Sequence, residues 1–322
     1  EMTLLAPWSY GEMDSAKLVN LAFLLITLTA VAKTARLLAG GIAGWWAAFI
    51  FATVGLISGQ CVQGKNDLAA VMFLAAAGWC AWKMFHKDPD APFPPPPGPL
   101  SRYSAIRLLA AAIWLAGCAV AVKVPAGLGA AGLMGGIFLI QRRLFTAKRL
   151  VLLAITACIP VSGWLAENWL FLGNPFHPFL SGVFPDLSWN PALSEALWKL
   201  DLVLGSPGAH WDGSALTGIW RVFGAPEIGS PALFAILPVA LLKLRGRPVR
   251  LLEAAIGLAY LFWLFSPRNP RFLFPALAWA SALAGVSIAG FSGRTALAGR
   301  ALLASATAAL SLLGAARFAS PS

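Results

Sequence analysis

Charge is what this sequence has least of. Only 11 % of its 322 residues are Asp, Glu, Lys or Arg, against about 25 % in an ordinary soluble domain. Hydrophobic residues reach 59 %, so neither a soluble enzyme nor a disordered chain fits. Histidine is scarce too, with three residues, and the four cysteines (Cys61, Cys80, Cys118, Cys158) are spaced for neither a disulfide framework nor a zinc site. Three of them sit inside apolar runs, where a thiol serves as small filler. No Gly-rich nucleotide loop, His-Glu-x-x-His or Gly-x-Ser-x-Gly element occurs. The net charge of +11 is spread along the chain, which argues against nucleic acid as a partner.

What the chain does have is long apolar runs. Ten can be marked, at about 17–35, 39–59, 67–84, 105–122, 124–141, 149–166, 230–244, 250–266, 271–290 and 300–318. Many approach the roughly 20 residues that cross a bilayer as a helix. None alternates as a barrel strand would, and a helix satisfies its own backbone in lipid. The expectation is therefore an all-α integral membrane protein with about ten transmembrane helices. The run at 230–244 is short enough to be tilted or re-entrant, and the pair 105–122 and 124–141 has almost no linker, which suggests an irregular join.

The cations give the topology. Sixteen of the 24 Lys and Arg fall in one set of loops with three acids, and the other eight fall opposite with ten acids. One face thus carries +13 and the other −2. The positive-inside rule makes the first face cytoplasmic, in contact with anionic membrane lipids. This sets the first residue outside, and the chain starts at Glu1 with no Met and no signal peptide, so a preceding segment is expected.

Three regions follow: the first three helices in 1–82, a cytoplasmic linker at 83–104 stiffened by Pro92-Phe93-Pro94-Pro95-Pro96-Pro97-Gly98-Pro99, and seven helices in 105–322. An outward loop region, 165–230, is expected to be partly helical. Asn190-Pro191 can open a helix there, with Leu193, Leu197, Leu200 and Leu204 on one face, lying on the membrane surface. Its tryptophans can anchor at the interface, stack on sugar rings or wall a lipid groove.

The polar groups that could carry chemistry all lie on the outward side. Asp67, at the start of an apolar helix, can cap that helix, bind a metal–phosphate or orient an acceptor hydroxyl. Lys123, between two apolar runs, must snorkel or meet an anion. Arg268 and Arg271 precede an inward-running helix, where they can clamp a pyrophosphate or lipid phosphate, or simply anchor to lipid headgroups. Glu167, Asn168, Asn174 and His177 mark a further outer segment, and His177 can ligate a metal or merely be hydrogen-bonded.

Four motifs, in order, resemble those of bacterial multi-spanning glycosyltransferases of the GT-C fold, of the dolichyl-phosphate-mannose and aminoarabinose transferase type. Lys65-Asn66-Asp67 before an apolar helix is similar to the family's second outer-loop acidic motif. Gly117-Cys118-Ala119-Val120-Ala121-Val122-Lys123 resembles its Gly-rich helix ending in Lys. Glu167-Asn168-Trp169 through Gly173-Asn174-Pro175-Phe176-His177-Pro178 is similar to its Asn-Trp…Gly-Asn-Pro-x-x-Pro segment, and Arg271-Phe272-Leu273-Phe274-Pro275 to its Arg-Tyr-Leu-x-Pro helix start. The resemblance implies a polyprenyl-phosphate sugar donor, inverting transfer at the outer face of a bacterial inner membrane, and often a divalent metal ion. In this sequence Lys123, Arg268 and Arg271 would then bind the donor phosphate, Glu167, Asn168, Asn174 and His177 would line the substrate region, and Asp67 would be the candidate metal ligand. The family's catalytic Asp lies in the first outer loop. This sequence shows no paired-acid motif there, and Glu12, Asp14 and Asp67 are the acids nearest that role. Two functions therefore stand: a transferase, and a non-catalytic accessory or structural subunit of a larger membrane complex. Sparse intramembrane charge and no evident inverted repeat place a transporter behind both.

Overall fold

The computed structural model describes residues 13–55, 57, 66–84, 99–177, 183–184, 246–265 and 270–290, with single positions at 219, 223, 230, 233, 236 and 237. Among the described residues every regular element is helical. In chain order these are α1 (Met13–Ala39), α2 (Gly41–Ala52), α3 (Asp67–Lys83), α4 (Pro99–Val122), α5 (Gly127–Gln141), α6 (Ala147–Leu172), α7 (Arg247–Leu264) and α8 (Phe274–Ala289). Short 3-10 turns at Val124–Ala126, Arg142–Leu144 and Pro270–Leu273 flank α5 and α8.

Among the described residues five stretches are long and apolar enough to cross a bilayer: Lys17–Ala39, Ala105–Val122, Val124–Leu144, Ala147–Leu172 and Pro270–Ala289. The other expected runs divide. The second, at 39–59, yields only the 12 residues of α2, or about 18 Å of helix. Gly40, at φ 84°, starts it, and Thr53 ends it by turning its Oγ1 onto the Ile50 carbonyl. α3 has 17 residues, and α7 carries Arg247, Arg250 and Glu253 in its first two turns. The run at 300–318, nearly all of 230–244, and the surface helix expected from Pro191 lie outside the described residues.

α8 forms the centre. Every residue from Phe274 to Ile288 is buried, and the helix packs against α1, α2, α3 and α7. Six alanines and one glycine in its 16 residues make this close approach feasible. A Cβ on Gly285 would sit 2.5 Å from the Ala43 carbonyl oxygen and 2.6 Å from the Ala47 nitrogen, both backbone atoms of α2. Gly132 makes the same kind of contact between α5 and α7, with Ala255 and Ala259 backbone 2.8 Å from the hypothetical Cβ. The ring of Trp82 on α3 stands 6.1 Å from that of Trp279 on α8, and Trp82 Nε1 donates to the Pro248 carbonyl at 3.1 Å, tying α3 to the start of α7.

α6 is the opposite case. It packs on α4 and has only Leu153 and Asn168 buried, while Leu150, Val151, Leu152, Ile155 and Ile159 are exposed. An apolar helix so little covered faces lipid in a membrane. It also runs past the expected end of its span. The sequence run stops near 166, but the helix continues to Leu172, where Gly173 takes φ 74° and donates its N–H to the Trp169 carbonyl. Only that left-handed residue ends it. Glu167, Asn168 and Trp169 are thus in helix rather than at the start of a loop. Likewise α4 starts at Pro99, inside the expected linker, with proline in the first turn where its missing N–H costs nothing.

Candidate functional site: an ion cluster at converging helix ends

α3, α4 and α8 bring one end each to the same place. α3 begins with Asn66-Asp67, α4 ends at Val122 before Lys123, and the turn leading into α8 carries Arg271. Lys123 leaves helical geometry, at φ −156° and ψ 112°, so the chain bends between α4 and the Val124–Ala126 turn. This is the irregular join expected from the missing linker. The extended residue aims its ammonium sideways into the bundle, where it donates to Asp67 Oδ1.

Arg271 approaches from the other side, its Nη1 3.9 Å from Asp67 Oδ2. The Asp67 side chain is 3 % exposed, that of Lys123 23 % and that of Arg271 25 %. Asn66 donates its Nδ2 to the Val122 carbonyl at 2.9 Å, which satisfies one of the carbonyls that the end of α4 leaves without an intrahelical partner. A narrow cleft opens on the cluster, edged by Pro125, Phe272 and Pro275. Asp67 Oδ2 is buried with no hydrogen-bond donor on it, because 3.9 Å is an electrostatic approach rather than a hydrogen bond. The site thus contains two cations, one buried carboxylate and one carboxylate oxygen still able to accept.

A separate apolar groove of about 450 Å³ runs between α4, α5 and α6. Val120 and Val124, which bracket Lys123 in sequence, lie on its wall with Gly117, Cys158, Trp164 and Phe176. Gly117 matters here. A Cβ at that position would be 2.5 Å from the Ala157 carbonyl oxygen, so α4 and α6 meet there as closely as helices can.

Of the residues expected at the site, the structure joins Asp67, Lys123 and Arg271. Capping is not the role of the Asp67 side chain: α3 has no side-chain cap hydrogen bond, and the carboxylate turns to Lys123 instead. Lys123 has found its anion within the chain. Asn174 is fully buried, and its Oδ1 accepts from the Phe176 N–H at 2.9 Å, building the turn after α6. His177 N–H donates to the Asn174 carbonyl in the same turn. Asn168 is buried with its Nδ2 unpaired, and Glu167 is exposed. Asp14 opens α1 as backbone, its side chain lying outside the described residues together with Glu12 and Arg268. Asn66 was not anticipated as a contact, although an amide beside a helix-opening Asp is a ready partner for another helix's terminal carbonyl.

A divalent metal fits these residues poorly. Asp67 is the one carboxylate of the described cluster and both its oxygens face cations. Among the described residues no three His, Cys, Asp or Glu come together, whereas magnesium-type sites use oxygen donors beside anionic groups.

By likeness to solved structures, the fold of this helical bundle is of the GT-C membrane type. The solved structure that shows it is ArnT from Cupriavidus metallidurans bound to undecaprenyl phosphate, which this chain matches with a TM-score of 0.59 at 16 % identity. The same enzyme in the apo state matches with a TM-score of 0.52 at 17 % identity. Each match covers 90 % of this chain and 49 % of ArnT, so the chain spans about half the length of the structures it resembles. No family model and no curated protein matches the sequence.

Proposed function

We propose that this chain binds a polyprenyl-phosphate-linked sugar and serves its transfer to an acceptor hydroxyl at the outward face of a bacterial inner membrane. The observation that carries the reading is the meeting of Lys123, Arg271 and Asp67 at converging helix ends, with an apolar groove nearby whose wall includes Val120 and Val124 on either side of Lys123 in sequence. The ArnT structure with undecaprenyl phosphate bound, which shares this fold, supports it.

In this reading the prenyl chain lies in the groove of Gly117, Cys158 and Trp164, and the phosphate meets Lys123 and Arg271. Transfer breaks the bond between the sugar's anomeric carbon and the phosphate oxygen. The acceptor oxygen attacks from the opposite face, with inversion, the electron pair leaves with the polyprenyl phosphate, and the hydroxyl proton passes through solvent to that released phosphate. Two fixed cations then stabilise a charge that grows as that bond breaks, which is where electrostatic catalysis acts. The open valence of Asp67 Oδ2 suits it to accept a hydrogen bond from the acceptor hydroxyl and so orient it.

The test uses purified full-length protein with radiolabelled polyprenyl-phosphate sugars and, separately, equilibrium binding of undecaprenyl phosphate. Losing one charge-assisted hydrogen bond costs about 1.5–3 kcal/mol, so Lys123→Ala or Arg271→Ala should weaken binding roughly 10- to 100-fold. Wild-type binding without turnover for any donor would favour the accessory-subunit reading. Binding unchanged in both variants would remove the proposed phosphate site.

A further inference from the structure

At the end of α3 remote from Asp67, two lysines share one tryptophan. Lys83 Nζ lies 5.2 Å from the Trp79 ring centroid, and Lys33 Nζ reaches the same ring from α1 at 5.3 Å. The ring's electron-rich face attracts each ammonium. It cannot neutralise them, and the two charges are at most about 10.5 Å apart by these distances. Both lysines are exposed, and so is Arg36, one turn beyond Lys33 on α1. Among the described residues neither lysine has a carboxylate within 4.0 Å. Two ammoniums therefore converge on a half-buried tryptophan, with Arg36 one turn beyond Lys33 and, among the described residues, no counter-charge paired to either lysine.

The surface leading to them is apolar. Leu18, Leu21, Leu25, Thr29, Lys33 and Arg36 follow one another at three- and four-residue steps, and each is exposed. Thr29 is self-satisfied, its Oγ1 donating to the Leu25 carbonyl at 2.8 Å. One face of α1 is thus a stripe of leucines that ends in two cations. Leu18 to Arg36 spans about 27 Å at 1.5 Å per residue, close to the hydrocarbon thickness of about 30 Å. Asp67 and Lys83 are separated by nearly the same rise along α3. The tryptophan–lysine group therefore stands at the membrane boundary opposite the ion cluster.

From this geometry we infer a specific site for an anionic phospholipid, its phosphate held by Lys33 and Lys83 over Trp79 with Arg36 alongside, and its acyl chains on the Leu18–Leu21–Leu25 stripe. The site is independent of the proposed transferase reading and lies on the other leaflet. A lipid phosphate supplies the missing negative charge, and the stripe supplies apolar contact that a free phosphate ion could not use. Tryptophan at headgroup depth is a common anchor. Here it is also the platform that holds both ammoniums in place.

The experiment is native mass spectrometry of the full chain released from mixed phosphatidylglycerol and phosphatidylcholine bilayers. The expected result is selective retention of phosphatidylglycerol. Retention should fall about fivefold for each lysine removed, as Lys33→Ala or Lys83→Ala, and about 25-fold for both. A Lys33→Arg, Lys83→Arg variant should keep it, which separates loss of charge from loss of fold. Lys148→Ala, at an exposed lysine at the start of α6, should leave it unchanged, which separates this site from surface positive charge in general. Equal retention of the two lipids, or unchanged selectivity in the double alanine variant, would overturn the inference. A rise in retention on Asp88→Asn and Asp90→Asn would also overturn it, by showing that the chain's own carboxylates already occupy the lysines.

Discussion

Asp67→Asn separates two roles that the ion cluster could give its carboxylate. If Asp67 acts on the phosphate only as a like charge, its removal tightens phosphate binding. A phosphate touching both Lys123 and Arg271 would lie roughly 5–6 Å from the carboxylate, given the 3.9 Å that separates Arg271 from Oδ2. Two unit charges at that distance interact by about 3 kcal/mol at an effective dielectric constant of about 20. Both cations are about a quarter exposed, so water and salt reduce this to about 1–2 kcal/mol. The expectation is a roughly 5- to 30-fold gain in affinity for undecaprenyl phosphate at low salt, shrinking as salt is raised. Sugar transfer should fall at the same time, because Asn presents a weaker acceptor to the incoming hydroxyl. Equilibrium binding of labelled undecaprenyl phosphate to detergent-purified protein at two salt concentrations measures the first effect, and transfer at saturating donor measures the second. Weaker binding in the Asn variant would refute the reasoning, since it would mean that Asp67 helps hold the ligand. A thermal-unfolding control belongs beside it, because Asn retains an oxygen for Lys123 but gives up the charge pairing.

Four further outcomes are expected. Gly285→Ala drives a methyl group into the Ala43 and Ala47 backbone and should cost about 1–3 kcal/mol, read as a lowered unfolding midpoint in mild detergent. Gly173→Ala forces a side chain onto φ 74° and should cost about 1 kcal/mol, with faster hydrogen exchange confined to the end of α6 and the Asn174 turn. Cys158 is exposed on the groove whereas Cys80 is buried, so bound undecaprenyl phosphate should slow maleimide labelling of Cys158, and an unchanged labelling rate would count against the groove as the prenyl site. Trp82→Phe removes the hydrogen bond to the Pro248 carbonyl and should cost about 1 kcal/mol with donor binding unaffected, as measured by melting and by binding together.

Much of this arrangement is written in local features of the sequence. Apolar runs and charge placement give helices and their boundaries, because a helix in lipid is specified by composition almost alone. The run ends are another matter. Nothing in hydropathy distinguishes the residues after 166 from a loop, and a single glycine's left-handed turn sets the end of α6. α2 is short for a reason that lies elsewhere: it packs closely on α8, against Gly285. The site was legible in part for a similar reason. Asp67, Lys123 and Arg271 each stood out as costly charges at apolar helix ends, yet that they satisfy one another depends on contacts across 56 residues between Asp67 and Lys123. Asn66 escaped notice because an amide carries no charge penalty to betray it.

The burial of α8 has a consequence for how the protein is made. Helices enter a membrane in chain order, and α8 is the last of the described ones. α2 leaves the ribosome more than 200 residues ahead of the helix it packs against. At a synthesis rate of about 5–20 residues per second that is a wait of roughly ten to forty seconds. During that interval a segment too short to cross the bilayer unaided must be kept near its place, and the slot for α8 must be held open by α1, α3 and lipid. Completion of the fold is then a closing step. The turn that leads into α8 also delivers Arg271, so the ion cluster comes into being only when the last of the described helices has taken its place.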